Sequence, residues 1–413
     1  MQKCVFCLVL LMMSIILFGC PEKGTNPPKS KTEIRRVGWT GDNYFPSKEA
    51  IRDSGASPSI LKSVNGHLIM QDSYHKGVDA SRIFIRKIGE PDWEIIEPPD
   101  SVDFFGIGWI VDSENVYFGA DKLPRLYKYE LATSSWQEIP ISIADSVVTQ
   151  RGVFPKEPHS PYGIPCIANY HDSLVILIAN SASDGWTYPE LNLWGVKEGG
   201  VWSGKRDSLS ENDAWLDYKV FEDQLYVATY GKGVWRLLPD RTWEQLPPPD
   251  YITDQYDTTA ILRPRALEVV NGNLYVSYLG WGHVYRYNKA KNTWTDVAQC
   301  DSGRVCYPKP RNNMTMTQYK GRLIAAGMEV PVPVWYNDTT GEWTWLSYET
   351  WKSAFPTSDY LGPTYGMTVA GDTLYVAHEN GMVKLNLADP AVWTADTTDA
   401  TTIEIPIEEG NEL

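Results

Sequence analysis

Seven times along this 413-residue chain a two-residue turn is followed by one variable residue, an aliphatic residue and a second large apolar one, as in Asn271-Gly272-Asn273-Leu274-Tyr275. The other turns fall at Asn65-Gly66, Ser113-Glu114, His171-Asp172, Glu222-Asp223, Lys320-Gly321 and Gly371-Asp372, at spacings of 48 to 58 residues. A fixed period of that length means stacked copies of one small unit rather than a single continuous core. Asn-Gly and similar pairs accept the positive φ angles of tight hairpins, so each turn predicts two antiparallel strands, A and B. A third stretch, C, follows a variable loop, as in Arg125-Leu126-Tyr127-Lys128-Tyr129 and His283-Val284-Tyr285-Arg286-Tyr287. A short polar turn then leads to a tryptophan opening strand D in every unit: Trp93, Trp136, Trp202, Trp243, Trp294, Trp343 and Trp393.

Four antiparallel strands per unit, seven units over residues 33–413, predict an all-β fold: a seven-bladed β-propeller of four-stranded antiparallel blades. The recurrent tryptophans then read as anchors between blades, not as a binding stripe. Strand A is innermost in such a fold. Its equivalent positions Leu61, Trp109, Ile167, Tyr218, Leu267, Met316 and Met367 are apolar throughout, and the positions that follow bring Lys62, Lys219 and Glu268 towards the central channel. An open ring edge would be exposed to pairing, and two segments compete to close it beside the last blade: Ile34 to Thr40, and Thr402 to Ile407.

The N-terminus carries a different signal. Lys3, an apolar run from Val5 to Phe18 and small Gly19 read as an export signal over residues 1–19, too short to span a bilayer comfortably. Pro21 to Thr32 follows as a flexible leash. Removing the signal takes Lys3 and no acidic residue, so the charge moves from -15 to -16. So acidic a surface argues against a nucleic-acid partner. Cys300 and Cys306 bracket a short loop, as expected of a local disulfide in an oxidising compartment, while lone Cys166 in an apolar setting reads as a buried small side chain.

Two resemblances rest on these residues. Leu17-Phe18-Gly19-Cys20 resembles the lipobox of bacterial lipoproteins, with Phe18 in place of the usual small residue. That resemblance implies lipidation of Cys20, a tether over 20–32, and attachment to the bacterial envelope, in the periplasm or at the surface. The aromatic, six residues, tryptophan spacing of Tyr129 to Trp136, Tyr287 to Trp294 and Tyr336 to Trp343 resembles kelch-type propellers. Leu225 to Arg236 is similar to sialidase-type repeats. The kelch double glycine after strand B is missing and the sialidase Asp-box is reduced to Arg241-Thr242-Trp243, so both likenesses speak for fold and not for activity.

In this topology the A–B and C–D turns share one end of the ring, and the longer B–C and D–A connections share the other. Loops on a rigid scaffold are where binding groups concentrate. The aromatics left over by the repeat pattern, Trp186 and Tyr188 in the third B–C loop, Tyr230 in the fourth and Trp281 in the fifth, belong to that end, together with Arg263 and Arg265. Aromatic platforms beside cations suit a sugar ring or a protein hot spot. The histidines form no pair at ligand spacing, so no metal, cofactor or catalytic set is expected. The expected function is a non-enzymatic, lipid-anchored binding module for a protein or glycan. The alternatives are a carbohydrate-active enzyme, of glycosidase or sugar-isomerase type, and an envelope-assembly scaffold. A closed ring has no structural need of a second copy, so a monomer is expected.

Overall fold

The computed structural model describes residues 35–37, 57–73, 83–90, 93–96, 99, 104–120, 125–143, 162–181, 187–196, 200–205, 215–229, 231–249, 264–278, 283–297, 313–327, 333–345, 364–378 and 381–388. They form strands joined by turns. The first sheet comprises β1 (Arg35–Val37), β2 (Ser57–Val64), β3 (His67–Ser73), β4 (Ile83–Lys87) and β5 (Trp93–Ile96), in the order β1-β5-β4-β3-β2. The second runs β6 (Phe104–Val111), β7 (Asn115–Ala120), β8 (Leu126–Glu130), β9 (Ser135–Ile139). The third takes β10 (Ile141–Ile143) onto the outer edge of a meander of β11 (Tyr162–Tyr170), β12 (Ser173–Ser181), β13 (Thr187–Val196) and β14 (Gly200–Lys205).

Three more meanders follow: β15 (Trp215–Phe221), β16 (Gln224–Thr229), β17 (Gly233–Leu237) and β18 (Trp243–Gln245); β19 (Pro264–Val270), β20 (Asn273–Tyr278), β21 (Val284–Asn288) and β22 (Thr293–Asp296); β23 (Asn313–Tyr319), β24 (Arg322–Gly327), β25 (Val334–Asn337) and β26 (Glu342–Trp345). The seventh sheet is β27 (Thr364–Ala370), β28 (Thr373–His378) and β29 (Gly381–Asn386). The fold is a β-propeller. Six sheets are complete blades of four or five strands, a correction to the seven four-stranded blades expected. The last sheet has three strands among the described residues, and Trp393, expected to open its fourth, lies outside them.

The hairpin geometry follows from the turn residues. Asn65-Gly66, Glu222-Asp223, Asn271-Gly272 and Lys320-Gly321 all have positive φ at both positions, the signature of the two-residue turn whose twist matches that of paired strands. Glycine or asparagine adopts this conformation with little strain. Glu222 and Asp223, at φ 45° and 62°, adopt it without that help.

Both faces of each sheet are covered, so the second strands read as continuous apolar runs. Leu274, Tyr275 and Val276 of β20 are all fully buried. Each hydrophobic cluster draws on two neighbouring sheets: Tyr226, Ala228 and Val234 of the fourth meet Leu274, Val276 and Trp294 of the fifth, and Leu61, Met70 and Trp93 of the first meet Tyr375 and Ala377 of the last. The described strand-D tryptophans are inter-blade anchors, as expected. Trp202 Nε1 donates to Pro140 O at 3.3 Å, Trp294 Nε1 to Pro247 O at 2.8 Å and Trp343 Nε1 to Val297 O at 2.8 Å. In each case the acceptor follows the outermost strand of the preceding meander.

The aromatic-to-tryptophan spacing also has a geometric cause. Tyr129, Tyr287 and Tyr336 stand directly opposite Trp136, Trp294 and Trp343 across the third and fourth strands, with ring centroids 5.0, 4.9 and 5.0 Å apart. Cross-strand aromatic pairs of this kind stabilise a sheet beyond their burial alone.

The first and last sheets meet directly through their inner strands. Ser63 N–H of β2 donates to Thr368 Oγ1 of β27 at 3.1 Å, and Ser63 Oγ donates to Val369 O at 3.0 Å. A Cβ at Gly366 would lie 2.8 Å from Leu61 N, so the first and last inner strands approach as closely as a glycine allows. This corrects the expectation that residues 34–40 pair beside the last blade. β1 instead adds antiparallel to β5, the free outer edge of the first sheet, with Arg36 opposite Glu94. The second candidate, 402–407, lies outside the described residues. A further short strand, β10, pairs in parallel with β14 and covers the outer edge of the third sheet.

Replacing Trp294 by Ala should cost about 3–5 kcal/mol in urea unfolding, from lost packing between two meanders. Trp294→Phe, which keeps a ring but loses the donor to Pro247 O, should lose distinctly less; equal losses would show that the hydrogen bond outweighs the packing.

Candidate functional site

Of the three residues expected on the channel, Lys219 and Glu268 meet each other and Lys62 does not join them. The innermost strand of each sheet has one edge without a partner strand, and side chains from the neighbouring sheet answer it. Asp217 Oδ2 accepts Leu267 N–H across the gap between β15 and β19 at 2.8 Å, while its Oδ1 accepts Tyr218 N–H at 2.8 Å. The thiol of Cys166, buried as expected, accepts Trp215 N–H at 3.2 Å and lies 3.4 Å from Trp215 O, so it ties β11 to β15.

Lys219 and Glu268, on adjacent inner strands, form an ion pair at 3.0 Å. The second Glu268 oxygen accepts Val269 N–H at 3.0 Å. Burial opposes the Lys219 charge, but the Glu268 and Asp217 carboxylates outweigh it and hold the ammonium well above the ordinary lysine range. For Glu268 the order reverses: burial raises its carboxyl, and Lys219 returns only part of that cost. Tyr218, between Asp217 and Lys219, is pushed up to about 12 by burial.

Lys62 stands apart. Its Nζ lies 5.1 Å from the centroid of the Trp109 ring and donates a long bond of 3.4 Å to Trp109 O. Burial pulls its pKa down to about 8; Asp217 works against that shift and the Lys219 charge adds to it.

The loop end is less fully described. Trp186, Tyr230, Trp281 and Arg263 lie outside the described residues, as do Cys20, Cys300 and Cys306. Tyr188, expected in a loop, belongs to β13 and stands opposite Asn180, because β12 and β13 run longer than the corresponding strands of other blades. Arg265 is half-buried at the loop end of β19. Among the described residues no three His, Cys, Asp or Glu side chains are grouped to hold a metal.

One pair at this end was missed by sequence reasoning. His283 Nδ1 lies 2.6 Å from Asp296 Oδ2, both side chains are largely buried, and the imidazole stacks on Tyr285 at 5.8 Å. The thirteen-residue separation hid it; only the register placing Tyr285 opposite Asp296 brings the two to one strand end. A carboxylate on Nδ1 fixes the imidazole's tautomer and orientation, the arrangement that prepares a ring nitrogen for proton transfer.

No family model matches the chain, and no curated protein matches it. Solved structures share the fold. A catalytically inactive variant of virginiamycin B lyase from Staphylococcus aureus, with quinupristin, superposes with a TM-score of 0.54 at 10% identity, over 86% of this chain and 98% of that one. YCF48 bound to D1 peptide gives 0.51 at 12%, over 88% and 98%. The extracellular domain of a one-component system from B. thetaiotaomicron gives 0.52 at 12%, over 84% of this chain but only 40% of that one.

The Lys62 environment makes a pH prediction. A pKa below the ordinary 10.5 means that the folded state binds this proton less tightly than the unfolded chain, so its stabilising share is present above 10.5 and lost as pH falls through about 8. Lys62→Met should therefore be more stable than wild type at pH 7, by on the order of 1–3 kcal/mol, with the gap closing towards pH 10. Urea unfolding of both proteins across that range tests it; a constant gap would refute the burial argument.

Proposed function

We propose that the protein is an exported envelope protein, lipid-anchored through Cys20, that acts as a non-enzymatic binding module for a protein or glycan through the loop end of its propeller. The observation that carries the reading is the unequal treatment of the two ends. At one end the first two strands of each meander are joined by tight turns, several tied to their neighbours: Tyr170 Oη donates to Asp223 O at 2.9 Å, Tyr319 Oη to Asp372 Oδ1 at 2.7 Å and Asn271 Nδ2 to Gly321 O at 2.8 Å. At the other end lie the connections 144–161, 246–263, 297–312 and 346–363, carried on the same rigid ring. Long connections on a fixed frame are free to vary without cost to the core.

The channel carboxylates have structural work, bonding Lys219 and inner-strand N–H groups, which directs the search for a partner to the loop aromatics Trp186, Tyr188, Tyr230 and Trp281 with Arg263 and Arg265. Structural neighbours include a peptide-bound protein and an extracellular domain, in keeping with a binding role outside the cytoplasm. They also include a lyase, so the fold alone does not choose between binding and catalysis. The second reading, a carbohydrate-active enzyme, draws on His283 and Asp296, which supply an oriented acid–base group at the loop end.

Crosslinking in intact cells, followed by recovery of bound protein and glycan, should yield a partner that Trp186→Ala/Trp281→Ala loses while remaining folded and in the membrane fraction. Recovery undiminished in the double variant would overturn the loop-end assignment. A glycan that is cleaved by wild type and retained intact by His283→Gln would favour the enzyme.

A further inference from the structure

The chain enters the ring in a fixed direction. In the first sheet Ile88 N–H donates to Gly66 O at 2.8 Å, so the turns after β2 and after β4 lie together at the turn end. β5 therefore starts at the turn end with Trp93 and runs towards the loop end. β1 is antiparallel to it, with Val37 opposite Trp93 and Arg35 opposite Ile95, so the chain ahead of Arg35 leaves the outer rim towards the loop end.

Residues 21–34 separate Cys20 from β1. As a coil such a stretch reaches about 20 Å, and fully drawn out about 50 Å. The inner strands β15, β19, β23 and β27 have seven residues each, which makes them ~23 Å long. With the turn end against a bilayer, the leash would have to run back past that whole length before reaching the lipid. That detour exhausts its coil reach and is opposed by chain entropy. With the loop end towards the bilayer there is no detour.

Such an anchor confines the loop end to a layer within about 20 Å of the bilayer, which raises its effective concentration towards proteins of the same membrane and not towards soluble ones. The lipid itself is a poor occupant of that layer, because anionic headgroups repel a chain of formal charge -15.

We propose that the loop end faces the membrane that holds Cys20, and that its partner is a protein embedded in that same membrane. This rests on the lipid anchor of the proposed function and adds to it an orientation and a partner class.

The test uses the acylated full chain in phosphatidylethanolamine–phosphatidylglycerol vesicles that carry an energy-transfer acceptor on a lipid headgroup. A fluorescent residue in place of Arg125 or Gln245, exposed beside the loop ends of β8 and β18, should transfer more efficiently than one in place of Glu90 or Lys320, exposed at the turn end. Lengthening the leash by about twenty Gly/Ser residues should shrink the difference. Equal transfer from both ends, stronger transfer from the turn end, or a difference unchanged by the longer leash would overturn the orientation. Flotation with the vesicles tests the anchor separately: wild type should float and Cys20→Ser should not, and a wild type that stays behind would overturn the anchor itself. In intact cells a photo-crosslinking residue in place of Gln245 should capture an integral membrane protein. A soluble protein, a glycan or lipid captured in its place would overturn the partner class.

Discussion

Every sheet of this protein is apolar on both faces, and neither face is buried until a neighbouring sheet covers it. Apolar burial between adjacent meanders is therefore the constraint on which the rest depends. Val227 and Tyr226 show the principle on consecutive residues of β16: Val227 packs with the third sheet through Val175 and Leu177, and Tyr226 with the fifth through Val276 and Trp294. No meander is self-sufficient, so the ring has to close, and the first and last inner strands meet at Ser63 and Thr368.

Closure creates a second demand. Inner strands each keep one edge with no partner strand among the described residues. The structure meets this with side chains instead of strands: a carboxylate at Leu267 N–H, a thiol at Trp215 N–H, a hydroxyl at Ser63 N–H and an ammonium at Trp109 O. These differ in chemistry and share a task, because an unanswered backbone donor or acceptor in a part-buried place is costly whichever side chain relieves it. The same economy explains why Lys219 and Glu268 pair with each other, while burial loosens the proton of Lys62.

How far the sequence disclosed this depends on whether a feature is local. The turn pairs, the strands beside them and the tyrosine–tryptophan facings arise within a few residues of one another, where φ preference, alternation and hairpin register decide the outcome. All of these were legible. The pairings of β1 with β5 and β10 with β14 were not, since both are short segments whose partners are set by whichever outer edge lies open nearby. Tyr188 was placed in a loop because strand length varies between blades and no residue type announces that β13 begins at Thr187. The His283 and Asp296 pair belongs to the same class, two ordinary residues made neighbours by the register of β21 and β22.

From sequence alone come the repeat, the four-strand unit and the inter-blade role of the tryptophans. Each is a consequence of periodicity, which a chain cannot hide. The tertiary structure decided which groups answer one another across the ring: Asp217 with Leu267, Lys219 with Glu268, Cys166 with Trp215, Ser63 with Thr368. Those contacts join residues some 50 to 300 positions apart. They depend on sub-ångström approach and on burial, and neither is written in the order of the residues until the ring is closed.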